Sequence, residues 1–313
     1  MHSRAFDGLS GNFLIGFLTW DMKKLAPTSV IETIALDRDG HPIGEPSLHN
    51  ISDERFLSGW LKCLKTLSQV IRLKNAATPQ DGFAKVTSWH EGAIAYLLCN
   101  ANDVQHAGTL TALYSSVPSQ GNGYYVTPEN LWQAVIVFSV RMLIPHTWQN
   151  HNDQFLQLSQ PLSDDVKSDC LVWMLFNGSN LSAGAGGLHW NERDWSLVNH
   201  FIPFTEAQVG AKGRFESDFM VRYLADLAFS PEAQAVLDEG RKLWTRFHAT
   251  QFPRLIRDEY KLGRPDAGWY QVRRSLEAYG ETELTDFDPF KAAYAALSAK
   301  LRPMVYELGF LPE

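Results

Sequence analysis

In the first 126 residues the apolar positions fall in short runs separated by turn-forming residues, a pattern that predicts strands. "NFLIGFLTW" (12–20) is one such run, bounded by Gly11 and Asp21. "VIETIAL" (30–36) leads through Asp37 to Gly40 into "HPIGE". Asp39-Gly40 between two runs predicts a hairpin, because glycine supplies the positive φ of a tight turn. "AIAYLLC" (93–99), "TLTALYSS" (109–116) and "GYYVT" (123–127) complete the set. Between them Phe56, Leu57, Trp60, Leu61, Leu64, Leu67 and Ile71 recur at helical spacing, with Ser52 placed to cap a long helix.

From Thr127 the period changes. Thr127-Pro128 sets a capping residue before a proline at the first helical position, and "ENLWQAVIVFSVRML" reads as a buried helix. "SDDVKSDCLVWMLF" (163–176) is a second helix, with acids where the helix dipole favours them. Ser230-Pro231-Glu232 opens a third, whose Ala233, Val236, Leu237, Leu243, Trp244 and Phe247 form one face. Near the end Phe290, Tyr294, Leu297, Leu301 and Met304 form a seam, with a kink expected at Pro303. The expectation is an α+β protein: a strand-rich part with one long helix over 1–126, then a mainly helical part over 127–313.

Charge and cysteine content narrow the function. The net charge is −7 with pI near 5.8, so any polyanion must be met by a local basic patch. Cys63, Cys99 and Cys170 are scattered and unpaired in pattern, which fits a reducing, cytoplasmic setting. The first residues lack a signal-peptide layout, and no apolar run approaches the roughly 20 residues of a membrane span.

The usual catalytic patterns are missing. The glycine-rich stretch 177–187 lacks both the dinucleotide spacing and the Lys-Ser/Thr of a phosphate loop, and it follows a helix. His146, His151 and Asp153 match no strong metal-ligand spacing. No Gly-x-Ser-x-Gly elbow occurs, and Cys99 with His106 is a pairing by proximity only. Asp164 and Asp165 sit at a helix start, where dipole interaction accounts for them.

One window is distinctive. Between Arg241 and Arg274 nine basic residues (Arg241, Lys242, Arg246, Arg254, Arg257, Lys261, Arg264, Arg273, Arg274) face three acids. Trp244, Phe252, Tyr260, Trp269 and Tyr270 are interleaved. Such a mixture suits phosphate contact and base stacking. It also suits a solvated helix face over core aromatics.

Several blocks, in order, resemble a known family. They are "GNFLIGFLTWDM" (11–22), "IALDRDGHPIG" (34–44), "YSSVPSQGNGYYVTPENLWQAVIVFSVR" (114–141), "TWQNHNDQFL" (147–156) and "SDCLVWMLFNGSN" (168–180). "VNHFIPFTEAQVGAKGRFESDFM" (198–220), "FSPEAQAVLDEGRKLWTRFH" (229–248) and "LRPMVYELGFL" (301–311) continue the series. Together they resemble the region downstream of the catalytic domain in adenine-specific DNA methyltransferases of restriction–modification and phage-defence type. The family's Asn/Asp-Pro-Pro-Tyr/Phe motif and its glycine-rich S-adenosylmethionine loop do not occur in this chain.

The resemblance implies a non-catalytic target-recognition half. It implies double-stranded DNA and a methyltransferase catalytic domain or subunit as partners, with no membrane. No cofactor is expected on this chain, since S-adenosylmethionine would sit on the catalytic half. DNA-contact candidates are Arg246, Arg254, Arg257, Lys261, Arg264, Arg273 and Arg274 on phosphates. Asn102, Gln105, Asn122, Asn150, Asn152, Asn177 and Asn180 are the candidates on base edges. In the 199–220 segment, Asn199, His200 and Glu206 are expected to be structural, beside a hinge at Gly210–Gly213. The competing expectation is a protein-interaction subunit with little DNA affinity of its own, which the net charge favours. An independent enzyme of another class is the remaining reading.

Overall fold

The computed structural model describes residues 30–37, 39–45, 47–49, 57–60, 93–99, 111–114, 123–144, 155–158, 161–181, 188–190, 193–195, 199–212, 217–262, 267–280 and 287–311. The run at 12–20 lies outside them, as does most of the helix expected after Ser52. Leu57–Trp60, the described part of that helix, forms a single 3-10 turn.

The hairpin at Asp39-Gly40 forms as its residues demand. β1 (Val30–Glu32) pairs antiparallel with β4 (Ser47–His49), and β2 (Ala35–Leu36) pairs with β3 (Pro42–Gly44) between them. Gly40 has φ +88°. Asp37 Oδ1 accepts the N–H groups of Asp39 and His41, each at 2.8 Å. The His41 N–H leads the interactions that hold the Asp37 carboxyl below its ordinary value.

The main sheet is antiparallel, in the order β6 (Thr111–Tyr114), β5 (Ala95–Cys99), β7 (Gly123–Val126). Its two faces separate by strand alternation. Leu97, Cys99, Leu113 and Val126 face the helices and join the main core. Ala93, Tyr96, Leu98 and Tyr125 form a small cluster on the other side.

In the second half, α1 (Leu131–Leu143) begins later than Pro128 suggests. Residues 128–130 form a turn instead, because Asn130 ties the corner. Its Oδ1 accepts the Thr127 N–H at 2.8 Å, and its Nδ2 donates to the Tyr125 carbonyl at 2.9 Å. The cap is therefore Asn130. α2 (Asp164–Leu175) packs on α1, with Asp164 and Asp165 in its first turn. α5 (Pro231–Ala249) is capped by Ser230, whose Oγ accepts the Ala233 N–H at 3.2 Å. All six residues of its expected apolar face are buried.

α5 lies along α8 (Asp288–Leu301), and both rest on α2. The seam ends where expected: Arg302-Pro303 forms a turn before the short α9 (Met304–Glu307). A cross-link fixes the three long helices. Lys300 Nζ reaches Asp169 Oδ2 at 2.8 Å and Glu232 at 3.4 Å, while Asp169 Oδ1 accepts the Ser230 N–H at 3.1 Å. Burial alone would lower the Lys300 pKa, and the two carboxylates outweigh it, so the group sits above its ordinary value.

In 199–212 and 217–220, the described parts of the 199–220 segment, Asn199 and His200 make local hydrogen bonds; the Gly213 end of the expected hinge lies outside the described residues. Asn199 is buried and its Oδ1 accepts the Phe201 N–H at 2.8 Å. His200 Nδ1 lies 2.7 Å from Ser217 Oγ. Thr205 starts α3 (Glu206–Val209) through a capping box closed by Gln208, and Gly210 ends it at φ +68°. α4 (Phe219–Ala225) follows. A hairpin that the apolar pattern does not reveal, β8 (Leu188–Trp190) with β9 (Arg193–Trp195), lies after the glycine-rich stretch. Among the described residues no helix is long and apolar enough to cross a membrane.

Candidate functional site

The basic window folds into the end of α5, a short α6 (Arg254–Glu259) and α7 (Trp269–Tyr279). Much of its charge is met by neighbours on the same helix. Arg241 pairs with Asp238 at 3.5 Å, Lys242 with Glu239 at 2.6 Å and Arg254 with Asp258 at 3.3 Å. Glu277 lies 3.2 Å from Arg274 and 3.8 Å from Arg273. Three of these acids lie just outside the window: with Asp238, Glu239 and Glu277 included, nine bases oppose six acids over 238–277. The basic excess is half what the narrower window suggests.

Arg257 and Lys261 are exposed on and just after α6, and Arg246 is half-buried on α5. Arg264 lies outside the described residues, as do Asn102, Gln105, Asn122, Asn150 and Asn152. The interleaved aromatics divide. Trp244 and Trp269 are core residues, whereas Phe252, Tyr260 and Tyr270 are half-buried.

Asn177 and Asn180 are not placed to read bases. Both are buried. Asn177 Nδ2 donates to the Tyr294 hydroxyl at 2.8 Å while its Oδ1 accepts the Ser179 N–H at 2.9 Å. Asn180 Nδ2 donates to the Leu175 carbonyl at 3.2 Å, and its residue bridges to Leu113 of β6. Their amides close the C-terminal end of α2 against the sheet, which uses the hydrogen-bonding capacity a base edge would need. His146, His151, Asp153 and His106 lie outside the described residues, and among those described no cluster of metal-ligating side chains occurs.

The most distinctive concavity joins one expected residue to two that the sequence reading missed. A cleft of ≈ 520 Å³ opens between α7 and α8 at the end of α2. Arg273, Lys291 and Arg302 supply its positive charge and Glu277 its carboxylate. Arg273 lies against the backbone of Gly178, where an added Cβ would come within 3.1 Å of its guanidinium. Its Nε is buried without a hydrogen-bond partner. Lys291 sits 5.9 Å from the Phe287 ring centroid. Arg302 Nε donates to the Leu143 carbonyl at 3.2 Å, which anchors the side chain where it lines the cleft.

The aromatic rings that line the cleft are packed on one another or under a cation. Tyr294 stacks on Trp173 at 5.6 Å and on Phe290 at 5.9 Å. Phe290 also meets Trp269 and Phe176, and Lys291 covers Phe287. Burial raises the Tyr294 pKa well above its ordinary value, so its hydroxyl stays a neutral donor, here to the Trp173 carbonyl at 3.1 Å. Charge, rather than stacking, is what this cleft presents.

A helical-stripe count would have found it. Lys291, Ala295, Ser298 and Arg302 are spaced at i, i+4, i+7 and i+11, so they fall on one face beside the apolar seam. Comparison with protein families, with curated proteins and with solved structures finds no match for this chain.

Proposed function

We propose that this chain is a DNA-recognition module that acts with an adenine methyltransferase catalytic domain or subunit. The reading rests on the resemblance of its ordered blocks to the downstream half of those enzymes. The structural observation that carries it is the α7/α8 cleft, where Arg273, Lys291, Arg302 and one carboxylate, Glu277, are the charged side chains among the described lining residues of an otherwise acidic protein. Such a cleft fits phosphate oxygens, and phosphate contacts set register on a duplex without reading sequence. The mutual packing of its rings favours backbone contact over base stacking.

Methyl transfer itself is assigned to the partner, which would hold S-adenosylmethionine and the target adenine. A flipped base needs a second body of protein to grip the duplex around it, and that is the role given to this chain. The test is binding to a mixed-sequence duplex as salt is varied. The wild-type chain gives a log–log slope worth several phosphates, and Lys291→Ala with Arg302→Ala lowers it by about two. An unchanged slope in that variant removes the cleft from the interface.

A second reading is favoured by one specific feature. Leu255 on α6 is 83% exposed, and α6 contributes no buried residue of its own. An exposed apolar residue on so lightly held a helix suits a protein partner. Under this reading the chain is an interaction subunit that touches DNA weakly. Light scattering of the chain with its catalytic partner, before and after Leu255→Ser, separates the two.

A further inference from the structure

Arg141 presents a problem in charge balance that the DNA reading does not address. It lies in the last turn of α1, on the side facing the sheet, and only 1% of its surface is exposed. None of its three guanidinium nitrogens makes a hydrogen bond of good geometry, and the polar group beside it is the Cys99 thiol, a weak acceptor. An arginine keeps its charge in proteins and carries five donors. A buried cation without a counter-charge is strongly unfavourable, because water's solvation has been removed and nothing replaces it.

The surroundings specify what is missing. Arg141 adjoins Cys99 at the end of β5. Cys99 stands directly opposite Thr111 at the start of β6, so the two side chains share a face of the sheet. Thr111 is fully buried, and its hydroxyl also lacks a hydrogen-bond partner. Cys99 does not supply the negative charge: burial pushes its thiol up, and Arg141 only partly offsets that. Arg141 and Thr111 thus both border the neutral Cys99 thiol, and each carries buried donors without a hydrogen-bond partner of good geometry.

We propose that Arg141 and Thr111 hold a buried oxyanion, the phosphate or carboxylate group of a small ligand. The planar guanidinium fork matches two oxygens of such a group, and the Thr111 hydroxyl donates to one of them or to a third. Cys99 supplies a neutral, polarisable wall. The site lies among the strands, apart from the α7/α8 cleft, and neither Arg141 nor Thr111 lines that cleft. Its occupancy is thus independent of duplex binding.

The experiment is thermal unfolding of the full chain in buffers of fixed ionic strength, with inorganic phosphate or acetate exchanged for chloride. Wild-type protein gains about 5 °C at a hundredfold excess over the dissociation constant, and the gain follows the logarithm of anion concentration. Arg141→Met removes the charge at similar volume. It matches or exceeds wild type in chloride and loses the anion response. Thr111→Val keeps the fold and shifts the response to severalfold higher anion. A larger shift with phosphate than with acetate identifies a phosphate ligand, and the reverse identifies a carboxylate.

Two results overturn the proposal. One is an equal anion response in Arg141→Met, which places the effect on surface cations. The other is a wild-type chain indifferent to both anions together with an Arg141→Met variant that melts earlier in chloride. That pair means the counter-charge is a carboxylate of the chain itself. Lys291→Ala with Arg302→Ala serves as the control: it removes any phosphate response that comes from the α7/α8 cleft together with duplex binding, and it leaves the part lost in Arg141→Met, so failure here and failure of the DNA reading are told apart.

Discussion

Gly240 of α5 lies directly over the ring of Phe176: a Cβ at position 240 would stand 2.2 Å from Phe176 Cε1. The missing side chain is what lets α5 settle on the end of α2. Phe176 cannot retreat easily, since its ring is held by Phe204 at 6.2 Å, Trp269 at 5.0 Å and Phe290 at 5.8 Å. Gly240→Ala gains about 1 kcal/mol of helix propensity. Overpacking costs about 1–3 kcal/mol and wins where the neighbour is wedged. The variant unfolds at lower urea with an unchanged m-value, a net loss of up to about 2 kcal/mol. Adding Phe176→Leu recovers part of that loss, whereas each change alone destabilises.

Asp169 is the member of the three-helix cross-link that has no access to water, with 2% of its side chain exposed. Asp169→Ala strips Lys300 of its nearer carboxylate and leaves the Ser230 N–H unsatisfied, a loss of about 2–3 kcal/mol. Lys300→Met costs a similar amount although Lys300 itself is 42% exposed, because it leaves the buried Asp169 carboxylate without its cation.

The sign of the pH dependence follows from the directions of the shifts. Lys300 is raised, so its contribution is present below the ordinary lysine pKa, about 10.4, and fades as pH climbs through the folded value. Glu232 is lowered, first by the backbone N–H at its own position and then by the Ser230 hydroxyl. Its contribution is present above the ordinary glutamate pKa and fades as acid protonates it. The melting difference between wild type and Lys300→Met is therefore flat near neutrality and narrows at high pH, whereas the loss at Glu232 in acid, led by its own backbone N–H and Ser230, is largely shared by both proteins. A difference that grows toward high pH would contradict the assignment.

The sequence revealed what local chemistry dictates. Asp39-Gly40 forces its turn, Ser230-Pro231 opens a helix and Pro303 ends one. The face of α5 is readable for the same reason: a 3.6-residue period leaves only one way to bury Val236, Leu243 and Trp244. Asn130 defeated the reading, since the corner it makes depends on a strand carbonyl at Tyr125 that pairing has already positioned.

The candidate site was legible only in part. Arg273 stood out as one of a basic series, but Lys291 and Arg302 joined it through packing of α8 on α2 and α5. Conversely, Lys242 and Arg254 looked available and are paired along their own helices. Asn177 looked like a loop amide and is a buried strut for Tyr294. Linear charge counts cannot register partners at three and four residues' remove across the edge of the counted window.

Cys99 and Cys170 are both buried thiols. Burial pushes Cys170 up to about 12, against a partly opposing hydrogen bond with Ser139. Thiolate is the reactive form, so neither residue should react in the native state. In a Cys63→Ser background, a thiol-titrating reagent at pH 8 finds nothing in native buffer and two equivalents in denaturant. The raised folded pKa also sets a sign. Between the ordinary thiol value, about 8.5, and about 12 the unfolded chain releases a proton that the folded chain retains, so stability declines with rising pH there. Native labelling at Cys170 would show that α1 and α2 separate readily.

The DNA reading makes an unequal prediction for cations that a charge count treats alike. Lys242 and Arg254 each have a carboxylate within 3.3 Å, so a phosphate would have to displace it. Lys291 has no carboxylate partner among the described residues, and Arg257 stands exposed on α6. Replacing Lys242 or Arg254 by alanine should change duplex affinity by less than about twofold, since exposed pairs contribute about 0–1 kcal/mol either way. Lys291→Ala should weaken binding by about fivefold at low salt, uniformly across sequences, and lower the salt slope by about one. Asn177→Ala should lower the melting temperature without altering sequence preference, because its amide supports Tyr294 and Ser179 and faces no base. Titrating all four variants against the same duplex at several salt concentrations decides the matter. Equal losses at Lys242 and Lys291 would mean that net charge, and no particular cleft, draws the chain to DNA.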